Sequence, residues 1–90
     1  MTKQIKPHQI INRIGQLVAT QKARNYKAGW VYYQMDKLVE KNRPHLRAYN
    51  TNLADKAHYI AQGLDTLHDV EEALKTEWSM YLEDIARFGE

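Results

Sequence analysis

Ile10, Ile11, Ile14, Leu17 and Val18 recur at i, i+1, i+4, i+7 and i+8, the periodicity of one apolar helical face. Pro7 suits a first helical turn, and Lys22 and Arg24 complement the negative end of a helix dipole, so this helix is predicted over about 7 to 24. Asn25 to Gly29 reads as a connector. Val31, Met35 and Leu38 then recur at spacings of four and three, which predicts a second helix opening at Ala28 or Gly29 and running to about Lys41. Asn42-Arg43-Pro44 ends it, because proline pushes the residue before it out of the α region and itself suits the start of a next helix.

From Pro44 the apolar series continues through Leu46, Tyr49, Leu53, Ala57 and Ile60, but Asn50-Thr51-Asn52 is a poor helix interior. Two readings stand: a third helix from Pro44, or a loop ending in an N-cap. Gly63 fits the left-handed position after a helix, and Thr66 with Asp69 three residues on resembles a capping box with Asp in place of Glu. A fourth helix is predicted from about 65 to 88. Counted from Leu64, its apolar places alternate by three and four, with only Glu71 out of character, which puts Leu74, Trp78, Tyr81, Ile85 and Phe88 on a buried seam. Glu71 with Lys75 and Glu83 with Arg87 are spaced as ion pairs of an exposed opposite face. The seam would serve equally as the contact of a twofold homodimer, should so small a chain leave apolar surface uncovered. The expected fold class is all-α: a small bundle of three or four helices with a long C-terminal amphipathic helix and no β-sheet, since no segment alternates with period two.

At 90 residues without cysteine, the chain is expected to form one domain over 1–90, stabilised by packing or oligomerisation and not by disulfides. No apolar run approaches the roughly 20 residues of a membrane span, and Met1 to Ala19 lacks the apolar core of a secretory signal, so a cytoplasmic protein with no membrane partner is expected. Charge divides the domain in two. Residues 1–47 hold ten Lys/Arg against two acids, a balance of +8, whereas residues 48–90 hold three against nine, a balance of −6. Such sorting points to two surfaces with different tasks, because intermingled charge would serve solubility equally well.

The basic half also concentrates aromatic residues, in Lys22-Ala23-Arg24-Asn25-Tyr26-Lys27-Ala28-Gly29-Trp30-Val31-Tyr32-Tyr33. Cations interleaved with Tyr and Trp suit nucleic acid: the cations neutralise phosphates, and the rings stack on bases or ribose. Val31, Met35 and Leu38 define the buried side of the second helix, so at least one of Tyr32 and Tyr33 should face outward. Lys27 and Gly29, at the start of that helix, bring a cation and backbone N–H groups to one end, an anion-binding arrangement. The plainer reading is that Trp30 and one tyrosine are core while Lys and Arg are merely solvated.

The stretch Ala23 to Tyr33 resembles the "K-G-Y-K-P-G-W-A-Y-Y" segment near the C-termini of RadD/UvsW-like superfamily-2 DNA helicases and in related small phage or cyanobacterial proteins. Asn25 stands where that segment has its first glycine, Ala28 stands where it has proline, and the Phe-Gly-x-Trp-Pro tail is absent. The resemblance implies that Tyr26, Lys27, Gly29, Trp30 and Tyr33 belong to an accessory DNA-transaction module. It does not imply a motor, because the chain has no phosphate-cradling Gly-x-x-x-x-Gly-Lys-Ser/Thr loop.

Asp55 with His58, and Asp65 with His68, form two Asp-x-x-His pairs reminiscent of di-iron bundles, but only Glu71 offers a further carboxylate, so no metal or other cofactor is expected. No nucleophile, base and oxyanion set can be assembled, and a non-enzyme is expected. The expected function is therefore nucleic-acid binding, or binding of a nucleic-acid-handling protein, through Lys22, Arg24, Tyr26, Lys27, Trp30 and Tyr33. The competing expectation is a protein-binding inhibitor or adaptor, of the kind phages deploy against host defences, acting through Asp69, Glu72 and Glu83 of the acidic helix. A third account has the oppositely charged helices simply attracting one another.

Overall fold

The computed structural model describes residues 3–88; Glu90, counted above in the acidic half, lies outside them. Of four α-helices, α1 (Pro7–Ala23), α2 (Ala28–Lys41), α3 (Leu53–Ala61) and α4 (Leu67–Phe88), the first two and the last two are joined by short turns, and α2 and α3 by a longer connection with a 3₁₀ turn at Arg43–Leu46. No strand occurs among the described residues. The fold is the all-α bundle with a long C-terminal helix that the periodicity predicts.

The helix α1 packs against each of the other three, and α2 packs most extensively on α3. The core gathers Ile10, Ile14 and Val18 from α1, Val31 and Met35 from α2, Leu53, Ala57 and Ile60 from α3, and Val70 and Leu74 from α4. Each of these side chains larger than alanine stabilises by about 1.5–3 kcal/mol relative to exposure, which must offset the backbone entropy of so short a chain. The entry to α1 is fixed by Pro7 and by the Lys6 N–H, which donates to Gln9 Oε1 at 2.9 Å.

Between Pro44 and Leu53 the loop reading holds, and the apolar series there does not make a continuous helix. Asn52 caps α3, its Oδ1 accepting from Asp55 N at 3.2 Å. Glu77 reaches across from α4, and its Oε1 accepts from Asn50 N and Thr51 N, both at 3.0 Å, and from Thr51 Oγ1 at 2.9 Å. These bonds supply partners to the backbone groups that a helix would have satisfied internally. The segment before α1 lies along the same turn: Ile5 N donates to His45 O at 2.9 Å, Gln4 Nε2 to Pro44 O at 3.1 Å, and Tyr49 Oη to Ile5 O at 2.6 Å. Burial, reinforced by the nearby Glu77 charge, pushes the Tyr49 phenol well above its ordinary ionisation range.

The predicted seam of α4 is buried only in its first half. Leu74 is fully enclosed and Trp78, Tyr81 and Ile85 are half-buried, but Phe88 is 75% exposed and Leu64 72% exposed. Val70, not Leu67 or Glu71, supplies the first buried turn. Length is the reason. A helix of 22 residues spans about 33 Å, and the 17-residue α1 on which it packs spans about 25 Å, so α4 outruns its partner. The exposed face differs too: Lys75 pairs with Glu72 at 3.6 Å, three residues away, while Glu71 is half-buried, and no bridge joins Glu83 to Arg87.

Candidate nucleic-acid interface

The basic and aromatic residues meet at the corner between α1 and α2. Arg24 closes α1, and Asn25 follows in the left-handed region with φ 57°. Two backbone bonds close the turn, Asn25 N to Lys22 O at 3.2 Å and Tyr26 N to Gln21 O at 2.9 Å, and Gln21 Nε2 adds a bond to Tyr26 O at 2.6 Å. Asn is the residue after Gly that best tolerates this conformation. Lys27 is the N-cap of α2, with φ −70° and ψ 153°, and Ala28 is the first helical residue. Glycine would also fit at the positive φ of Asn25, and proline at Ala28, a first helical position preceded by an extended residue.

No side chain caps the start of α2. Gly29 is exposed there, and a Cβ built on it would meet nothing within 4 Å, so no packing neighbour accounts for the missing side chain. Lys22, Arg24 and Lys27 are exposed around this end, and none of them has an ion-pair partner among the described residues. The corner thus gathers three cations without ion-pair partners, Lys22 and Arg24 at the negative end of α1 and Lys27 beside the uncapped N–H groups at the positive end of α2.

The aromatic residues divide by the side of α2 they occupy. Trp30 and Tyr32 are half-buried against the core, and the Tyr32 ring stands edge-on to His58 with centroids 5.9 Å apart. Tyr26 and Tyr33 are exposed, at 39% and 56%. The Tyr26 ring leans on Trp30, with centroids 4.9 Å apart and planes at 43°. Lys37 Nζ lies 4.5 Å from the centre of the Tyr33 ring. Lys37 was not among the residues the sequence singled out; its i, i+4 spacing from an outward tyrosine is the signal that would have found it. Lys22, Arg24, Tyr26, Lys27 and Trp30 share the corner, and Tyr33 lies one turn further along α2.

The acidic residues form no comparable cluster. Asp69, Glu72 and Glu83 are all exposed on α4, but Asp69 and Glu83 are separated by about 21 Å of helix. The ion pairs among the described residues are Arg43 with Glu40, Lys56 with Asp65 at 3.8 Å, and Lys75 with Glu72, so none joins the basic half to the acidic half. Attraction through interdigitated ion pairs is therefore not what holds these helices together. Of the Asp-x-x-His residues, Asp65 is engaged by Lys56 and by Thr66 N, and no group of three or more His, Asp or Glu gathers among the described residues. Among the described residues no helix is long and apolar enough to cross a membrane. Compared with known proteins, the chain matches no family model, no curated protein and no solved structure.

Proposed function

We propose that the protein binds nucleic acid, as a non-catalytic accessory factor, through the α1–α2 corner. The observation that carries this reading is the grouping of Lys22, Arg24 and Lys27, all exposed and without carboxylate partners, around an uncapped helix start flanked by the rings of Tyr26 and Trp30. Phosphates would be neutralised by these cations and by N–H groups of the first turn of α2, with Gly29 letting the backbone approach. The resemblance of this segment to an accessory segment of DNA helicases agrees with that assignment.

Anisotropy of labelled oligonucleotides at a series of salt concentrations tests it. Three phosphate contacts give a log–log salt slope of about −2 to −3. Charge reversal at Lys27 should weaken binding to every sequence alike and flatten the slope by about one, because a phosphate contact carries no base information. Absence of binding at low salt, where nonspecific attraction is strongest, overturns the proposal.

That outcome promotes the second reading, in which α4 docks a basic protein partner. Its support is the exposure of Met80, Leu82 and Phe88 on the same helix as Asp69, Glu72 and Glu83.

A further inference from the structure

Resting on the nucleic-acid reading of the corner, we infer that the occupant is a single strand whose unpaired bases stack on Tyr33 and on the Tyr26–Trp30 pair, and that a duplex is a poor ligand. Bases in a duplex present only their edges to a groove; their faces are covered by neighbouring base pairs. Exposed rings gain from stacking only where a base face is free.

The placement of the rings fits a strand. At about 100° per residue, Tyr33 lies at the centre of the outward side of α2, opposite the buried Val31 and Met35. Lys37 sits over the Tyr33 ring, and the residue is still more than half exposed, so ring surface is available to a base. Trp30, with Tyr26 leaning on it, is three residues earlier, about 4.5 Å along the axis. That separation is within reach of consecutive bases, which are 3.4 Å apart when stacked and further apart when the strand is extended. The cations of Lys22, Arg24 and Lys27 lie at the same end, where the strand's phosphates would run.

One strip of the outward side opposes a duplex. To read a major groove, a helix lays several turns between two phosphate walls. Asp36 and Glu40 are exposed within about 60° of Tyr33, on the turns that follow it. Glu40 is paired with Arg43, but Asp36 has no ion-pair partner among the described residues, and it would face a phosphate wall. A strand that touches only the first two turns avoids both carboxylates. No side chain in this arrangement is committed to a base edge, so the strand is taken with little regard to sequence, and the chemistry is shared by DNA and RNA.

The test compares labelled oligo(dT), oligo(U) and a hairpin duplex of equal length, at low salt, with the full chain and with Tyr33→Ala and Tyr33→Phe. The expected result is binding of one or both strands at least about tenfold tighter than the duplex. Tyr33→Ala should weaken strand binding by about fivefold or more, the scale of one lost base stack, with little change on the duplex, and Tyr33→Phe should restore it. Tyr33 is exposed, so both variants should keep the wild-type circular dichroism spectrum. Equal or tighter duplex binding, or a strand affinity indifferent to Tyr33→Ala, overturns the single-strand inference and leaves the corner as a phosphate-binding surface. Binding to none of the three overturns both.

Discussion

The α1–α2 and α3–α4 corners are made with one backbone device and finished with opposite chemistry. Each ends its first helix with a left-handed residue, Asn25 at φ 57° and Gly63 at φ 78°. Each closes with the same pair of bonds, and at the second corner these run from Gly63 N to Ile60 O at 3.1 Å and from Leu64 N to Tyr59 O at 2.8 Å. Beyond that point they diverge. The start of α4 is closed by Thr66, whose Oγ1 accepts from Asp69 N at 3.0 Å, and by Asp65, which accepts from Thr66 N at 2.9 Å and pairs with Lys56. The start of α2 has Lys27 at the equivalent place and no side-chain cap. A few side chains, and one more residue between the shared turn and the next helix at the second corner, decide whether a helix start is satisfied from within or faces outward with its positive end intact.

The comparison breaks most severely if the two corners are not parts of one cooperative unit. Leu74→Ala, at a fully enclosed position two turns into α4, should cost about 2–5 kcal/mol. Because α1 touches all three other helices, both corners should unfold together. Trp78→Phe leaves Trp30 as the reporter of the first corner, and Trp30→Phe leaves Trp78 as the reporter of α4. Coincident urea transitions are expected, and separated ones would show two independent parts. At the next scale, Gly63→Ala should cost about 1–2 kcal/mol in denaturant melts, since nothing crowds the added carbon and the penalty is purely that of a left-handed backbone. Asn25→Gly should change stability by only a few tenths, either way.

A sharper contrast comes from exchanging the caps. Thr66→Ala should lose about 1 kcal/mol, and Lys27→Asp should gain up to about 1 kcal/mol by supplying the missing cap to α2. The same Lys27→Asp protein should lose nucleic-acid affinity in the anisotropy assay, so stability and binding move in opposite directions. A loss of both would mean that Lys27 is there to hold the corner together. Ala28→Pro should raise stability by about 0.4–1 kcal/mol, because Lys27 is already extended and Ala28 is the first helical residue. Thermal melts suffice to check it.

Most of the frame was legible because period and punctuation agree. Pro7, the Val31–Met35–Leu38 spacing and Gly63 place three helix boundaries within a residue or two of those observed. The start of α3 is ambiguous in the sequence because Leu46 and Tyr49 continue an apolar series while Asn50 to Asn52 interrupt it. The deciding contact, Glu77 on the loop, comes from 26 to 27 residues away and has no local signature. The exposure of Phe88 was illegible for a different reason: a heptad count tells which residues share a face, but not how far a neighbouring helix extends to cover it. Within the candidate interface, the cluster itself was plain in the sequence. Which ring turns outward depended on where the core sits around α2, and Lys37 became visible only once Tyr33 was placed.

The Tyr49 phenol ties a far part of the fold to proton concentration. Its O–H holds the Ile5 carbonyl of the segment ahead of α1, while burial first and the Glu77 charge second oppose its ionisation. The unfolded chain releases this proton near pH 10 and the folded chain only at higher pH. Its contribution is therefore whole below about pH 10 and is lost as the medium becomes more alkaline. Base should consequently lower the stability of the fold as a whole, and Tyr49→Phe should remove that part of the pH dependence in denaturant melts on either side of about pH 10, at the cost of one hydrogen bond.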